Sequence, residues 1–204
     1  VFSAIYLVEY AKRGNKLVKI VRMTTETLSG IPSIVYGLFG YLMFGVALHW
    51  GYSMLSGALT LAIMVLPSIM RTTEEALKAV PDSYREGSFG LGAGRLRTVF
   101  VVILPSAIPG ILAGVILAIG RITGETAALI YTAGTVPGIP TTKLCGIPIF
   151  DMMASGRTLA IHMYALLNEG LYMEQAYATA VVLLIMVLLI NALSAFVAKK
   201  FTRS

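Results

Sequence analysis

The chain has 204 residues, of which 57% are apolar and 13% charged, with a formal net charge of +6 and a mean hydropathy of +0.81. Few charges at this hydropathy exclude a disordered chain. They also argue against a water-soluble globule, because one core of this size has no room for so much apolar surface. An integral membrane protein is the expectation.

Five apolar stretches follow one another. Val1–Tyr10 reads as the end of a helix whose start lies outside the sequence. Ser29–Leu48, Leu55–Met70, Ser106–Thr132 and Ala176–Ala198 read as four full spanning segments, each near the length that a bilayer requires. Leu55–Met70 is the short one and is expected to recruit flanking neutral residues. Ser106–Thr132 is longer than the hydrocarbon layer demands and carries Arg121 and Glu125, so it must tilt, bend or project. No stretch alternates in strand fashion, which speaks against a β-barrel. The predicted fold class is therefore all-α, a polytopic helical bundle. Cys145 stands alone, so no internal disulfide can form.

The basic residues set the orientation. Lys12, Arg13, Lys16, Lys19 and Arg22 follow the first stretch. Arg71, Lys78, Arg85, Arg95 and Arg97 lie in the connection 71–105, and Lys199, Lys200 and Arg203 end the chain. Only Lys143 and Arg157 fall on the other side, in 133–175. The positive-inside rule puts the first group and the C-terminus in the cytoplasm and the loop 133–175 outside. That loop is expected to form short interfacial helices. Basic charge placed this way belongs to membrane topology and does not point to nucleic acid.

The connection 71–105 holds the most local structure. Thr72 with Glu75 and Ser83 with Glu86 each carry the capping-box spacing. Pro81 separates the two helices so predicted, and Gly90, Gly92 and Gly94 punctuate a turn. The result is a helix–turn–helix with Tyr84 and Phe89 free to fill a partner's groove; a solvated loop is the alternative. Arg71, with Thr72 and Thr73, reads as capping and snorkelling at the membrane surface. Gly110–Gly114 and Gly120–Gly124 are small-xxx-small pairs and are expected to pack helices closely. His49 and His162 have no ligand spacing around them, so no metal site is expected. No G-x-x-x-x-G-K-[ST] occurs, so the chain is not expected to bind ATP through a P-loop.

Glu86-Gly87-Ser88, Gly92 and Val102-Ile103-Leu104-Pro105 resemble the EAA loop of binding-protein-dependent ABC importer permeases, Glu-Ala-Ala followed by Gly and Ile-x-Leu-Pro. Gly87 and Ser88 depart from Ala-Ala, and Val102 stands for Ile. The runs Gly30–Phe39 and Gly120-Arg121-Ile122-Thr123-Gly124-Glu125-Thr126 resemble the phosphate-specific permeases, and the run around Asn191 resembles their PstA type. The resemblance covers essentially the whole chain. It implies a MetI-like type I permease domain over 1–204 in the inner membrane. Such permeases have six spanning helices, so the first and part of the second are expected to lie outside this sequence.

The resemblance further implies a coupling helix that docks on an ATPase through Tyr84, Glu86, Gly87, Ser88, Phe89, Gly92, Leu104 and Pro105. Its partners would be a homologous PstC-type permease, two ATP-binding subunits that hold ATP and Mg2+, and an extracytoplasmic phosphate-binding protein. No cofactor and no bond chemistry are expected in the chain itself. An ionised side chain at membrane depth costs roughly 2.5–3.5 kcal/mol, so Arg121 and Glu125 call for a reason. At i and i+4 of one helix they would share a face and pair. Two readings stay open: a structural charge pair, or a phosphate path with Arg121 as transient ligand, Glu125 as counter-charge, and Thr123 and Thr126 as hydroxyl donors. The rivals to phosphate import are transport of another oxyanion, an ATP-independent channel or carrier, and a membrane-embedded enzyme.

Overall fold

The structure is a computed structural model that describes residues 1–11, 14–144 and 147–202. Lys12, Arg13, Cys145 and Arg203 lie outside the described residues, as do the side chains of Lys143 and Lys200. The elements in chain order begin with α1 (residues 2–10), α2 (Lys16–Ser29), α3 (Ser33–Ala47), α4 (Met54–Lys78) and α5 (Asp82–Gly90). There follow α6 (Arg95–Thr123), α7 (Ala127–Thr132), β1 (Thr141–Leu144), β2 (Ile147–Phe150), α8 (Leu159–Glu169) and α9 (Met173–Thr202).

Among the described residues three helices are long and apolar enough to cross a membrane, α4, α6 and α9, or four if α2 and α3 together make one broken span. The helical, multi-spanning architecture read from the sequence holds. Its boundaries change in four places, each for a local reason.

The predicted span Ser29–Leu48 contains a break. Gly30 and Pro32 interrupt it, because proline has no N–H to donate and glycine weakens a helix interior. The basic stretch before it, read as a loop, forms α2, whose Leu17, Ile20 and Met23 are exposed. The span Leu55–Met70 runs on to Lys78 as one helix, α4. Two i,i+4 ion pairs, Arg71–Glu75 at 3.0 Å and Glu74–Lys78 at 3.1 Å, carry it into the polar region. Thr72 and Thr73 are therefore interior residues that bond back to Ser68 and Ile69 carbonyls, and Thr72 caps no helix start. Arg71 itself is exposed and paired with Glu75.

The third change is at the other long segment. Helix α6 begins at Arg95 and stops at Thr123, short of the predicted end at Thr132. A wider, π-helical stretch at Val99–Ile103 precedes Leu104 and Pro105, where the proline withholds a donor from the ladder. The fourth change is in 133–175. It contains an antiparallel hairpin, with Thr141 opposite Phe150 and Leu144 opposite Ile147, together with α8. Helix α8 is capped by Thr158 at one end and by Gly170 at φ +68° at the other. The hairpin departs from the all-α expectation.

The chain divides into two compact units. The first comprises Val1–Ser29, Leu66–Ile119 and Asn191–Ser204. Its core joins Ala4, Ile5 and Leu7 of α1 to Met70 and Leu77 of α4, Val80, and Val99, Ile103, Ala107 and Ile111 of α6. Gly110 and Gly114 explain how close α6 and α4 come. A methyl built on Gly110 falls 2.7 Å from Ala76 Cβ, and one on Gly114 meets Thr72.

The second unit comprises Gly30–Val65 and Gly120–Ile190. Helix α7 lies between α3 and the first half of α4. A methyl on Gly37 of α3 would sit 2.8 Å from Ala128 Cα, and one on Gly57 of α4 would sit 2.9 Å from Leu129 Cδ2. The Ser53 amide donates to the Thr132 carbonyl at 3.0 Å and closes the group. Small residues take the place of area burial here, because lipid offers apolar side chains no worse a home than a neighbouring helix does.

Candidate functional site

The Arg121–Glu125 region lies in the second unit. Arg121 is exposed in the last turn of α6, Thr123 closes that helix, and Gly124, Glu125 and Thr126 form the break before α7. The expected i,i+4 pair requires an unbroken helix, and the break removes it: among the described residues Arg121 and Glu125 form no ion pair. Glu125 Oε1 instead accepts the Ala128 amide at 3.3 Å. There the carboxylate faces the positive end of a helix. Thr126 Oγ1 donates to its neighbour's carbonyl at Gly124, 3.4 Å away. Gly124 has open space around its Cβ position among the described residues. Gly110 and Gly114 do meet a neighbouring helix, α4.

Removing the pair changes what Arg121 is able to do. A guanidinium committed to a carboxylate has fewer N–H groups for an anion. One without an ion pair keeps the planar fork that matches two oxygens of a phosphate or similar oxyanion. The buried Tyr36 of α3 lies within electrostatic reach of it.

The other region is α5, its turn and the start of α6, in the first unit. Tyr84 and Phe89 are exposed, as are Glu86 and Gly87 on the same helix. Asp82 follows Pro81 at the start of α5, and the Ser83 side chain makes no cap bond. Gly92 sits at φ +81°, a conformation that other residues rarely adopt, and sends the chain back into α6. Ser88 faces inward, where its hydroxyl and that of the buried Thr98 lie 2.8 Å apart, and this bond latches α5 to α6. Leu104 packs against the core of the unit and Pro105 is exposed on α6.

Arg85 is the residue that sequence reasoning missed. It reads as one more loop cation, yet its side chain is only 17% exposed. Its Nη2 donates to Glu9 Oε1 of α1 at 2.8 Å and to the Leu77 carbonyl at 3.0 Å. Its Nη1 donates to the Val80 carbonyl at 2.8 Å and to Asp82 at 3.0 Å, and its Nε donates to Glu9 at 3.3 Å. All five N–H groups of the guanidinium are engaged. The hydrogen bond to Glu9 raises its pKa above the ordinary arginine value against the opposing pull of burial, with Asp82 adding to the effect. A second ion-pair group joins Arg22 of α2 to the buried Glu74 at 3.3 Å, with Lys78 on the same carboxylate.

Apolar helices of spanning length, tied to a polar helix–turn–helix, define a multi-pass membrane protein. Its particular family follows from comparison: residues 1–204 match the family described as "Binding-protein-dependent transport system inner membrane component", and the chain belongs to it. The chain is 39% identical over 196 residues to the "Probable ABC transporter permease protein YqgI" of Bacillus subtilis, covering 93% of this chain and 66% of that protein. It is 43% identical over 149 residues to the "Phosphate transport system permease protein PstA 2" of Mycobacterium bovis, covering 73% and 49%. It is 31% identical over 201 residues to the PstA 1 protein of Mycobacterium tuberculosis, covering 98% and 64%. The chain thus spans about half to two thirds of the length of these relatives. Among solved structures, "Inward facing conformations of the MetNI methionine ABC transporter: CY5 native crystal form" shares the fold. Its TM-score is 0.75 at 20% identity, over 98% of this chain and 85% of that one.

Proposed function

We propose that this chain is the transmembrane permease subunit of an ATP-driven inorganic phosphate importer and lines half of the translocation path. Similarity to PstA proteins over most of the chain carries the reading. The importer's other parts would be a homologous PstC-type permease, two ATP-binding subunits and an extracytoplasmic phosphate-binding protein. The C-terminus lies in the cytoplasm on the charge asymmetry given above.

The parts of the chain take separate roles. Helix α5, through Tyr84, Glu86, Gly87 and Phe89, docks in a cleft of the ATPase. ATP binding closes the ATPases, and α5 carries that movement into the membrane helices. Arg121 binds phosphate transiently on its way through. Its exposed fork suits a dianion, and a single cationic ligand keeps affinity low enough for release. Glu125 is held by the α7 amide and discourages a second anion. Thr123 and Thr126 flank the passage. The chain carries out no bond chemistry, and ATP hydrolysis with its Mg2+ belongs to the partner subunits.

Labelled phosphate uptake tests this reading, with the full-length permease, its partners and the binding protein in proteoliposomes. Uptake that requires ATP and ignores excess sulfate is the expected result. Suppression by sulfate would mean another oxyanion, and uptake without ATP would mean a channel or carrier.

A further inference from the structure

Adjacent residues at the end of α1 hold the two arms of the α5–turn–α6 loop. Glu9 takes the Arg85 guanidinium of α5 at 2.8 Å. The Tyr10 ring takes the Arg95 guanidinium of α6, with Cζ 5.9 Å from the ring centroid, within the range of a cation–π contact. Between the arms, Ser88 and Thr98 form the 2.8 Å hydroxyl bond. Both members of the ion pair are largely buried, at 17% and 10% exposed. Arg85 also satisfies the Leu77 and Val80 carbonyls, which the end of α4 leaves without helical partners. Tyr10 and Leu104 further pack on the core that α1, α4 and α6 share.

We infer that Glu9 and Tyr10 clasp this loop to α1, so that α5, the turn, α6's first residues and α1 move as one body. Force applied to α5 by a partner then reaches the membrane first through α1. Arg85 and Glu9 are positioning residues in this scheme, since neither meets the transported ion. A lysine in place of Arg85 has three donors on one nitrogen and cannot reach two carbonyls and a carboxylate together. A loop held only by its covalent ends would flex on its glycines, at Gly90, Gly92 and Gly94, and dissipate the stroke. The inference rests on the importer reading.

The test uses the full-length permease in its assembled complex. The double variant Glu9→Met/Tyr10→Leu releases both arms, since neither new side chain offers an acceptor oxygen to Arg85 or an aromatic ring to Arg95, and the core keeps its apolar bulk. Phosphate delivered per ATP hydrolysed should fall by about fivefold or more, the scale of a lost coupling between sites, with ATP hydrolysis itself retained. An unchanged ratio overturns the clasp. A variant that fails to assemble leaves the decision to a second measurement on protein that keeps Glu9 and Tyr10, with Cys145→Ser and spin labels at the exposed positions Phe2→Cys and Ser83→Cys. Their separation should stay constant within about 2 Å between nucleotide-free and ATP-bound states. A change approaching a helical turn, about 5.4 Å, overturns the proposal. ATP-driven uptake by the wild type is scored separately, so failure of the importer reading is told apart from failure of the clasp.

Discussion

Gly37→Ala adds one methyl group where α3 meets the backbone of α7. The new carbon would lie 2.8 Å from Ala128 Cα, 2.9 Å from the Ala128 carbonyl oxygen and 3.2 Å from that of Ala127. Carbon contacts are most favourable near 3.5–4.0 Å, so the shortfall is about 0.7 Å. All three atoms are backbone, and no rotamer change relieves them; α3 and α7 must separate. Overpacking of this kind costs about 1–3 kcal/mol, several degrees of unfolding midpoint for a chain of this size. Function should suffer more than stability. The atom pressed hardest is in Ala128, whose amide holds Glu125, so a displacement of α7 reaches the Arg121–Glu125 region directly. Misplacement of a binding group by about 1 Å is enough for a hundredfold loss. The assay is thermal inactivation and phosphate uptake of the assembled complex, beside Gly138→Ala as control, whose methyl meets open space away from that region. Wild-type uptake and thermal stability in Gly37→Ala would refute the reasoning.

Three further outcomes are expected. Arg121→Gln should abolish uptake while the complex assembles normally on co-purification, because the exposed guanidinium supports no ion pair among the described residues; full uptake would remove Arg121 from the path. Gly114→Leu should lower the yield of folded permease by overpacking against Thr72, at about 1–3 kcal/mol, as read by size-exclusion profile in detergent. Phe89→Ser exposes less apolar surface on α5, where Phe89 is 46% exposed and no part of the buried core. Its expected effect is weaker capture of the ATPase subunits in pull-down, with unchanged thermal stability of the isolated permease; unchanged capture would place the dock elsewhere.

Periodicity and local punctuation were readable in the chain. Apolar spans, Pro81 before α5, the turn at Gly92 and the small-residue pair Gly110–Gly114 all depend on residues close in sequence and are present in the structure, although the ends of the spans move. What escaped depends on residues far apart or on competition between weak preferences. Arg85 finds Glu9 across 76 positions, and nothing near either residue announces the other. Helix α2 was hidden by its basic residues, since a charged stretch between apolar ones reads as a loop until its spacing is followed. The pairing of Arg121 with Glu125 fails because i,i+4 spacing means a shared face only if the helix continues. Gly124 lowers helix propensity, and the Glu125 carboxylate gains more by capping α7 than by pairing backwards. Gly37 carries no local sign of its role, for a close backbone approach shows only when both helices are placed.

The most direct test of the account is ATP-dependent uptake of labelled phosphate by the reconstituted importer with excess unlabelled sulfate outside, run in parallel for wild type and Arg121→Gln. The account predicts uptake by the wild type that needs ATP and ignores sulfate, and none by the variant. Uptake without ATP, suppression by sulfate, or full uptake by Arg121→Gln would contradict it.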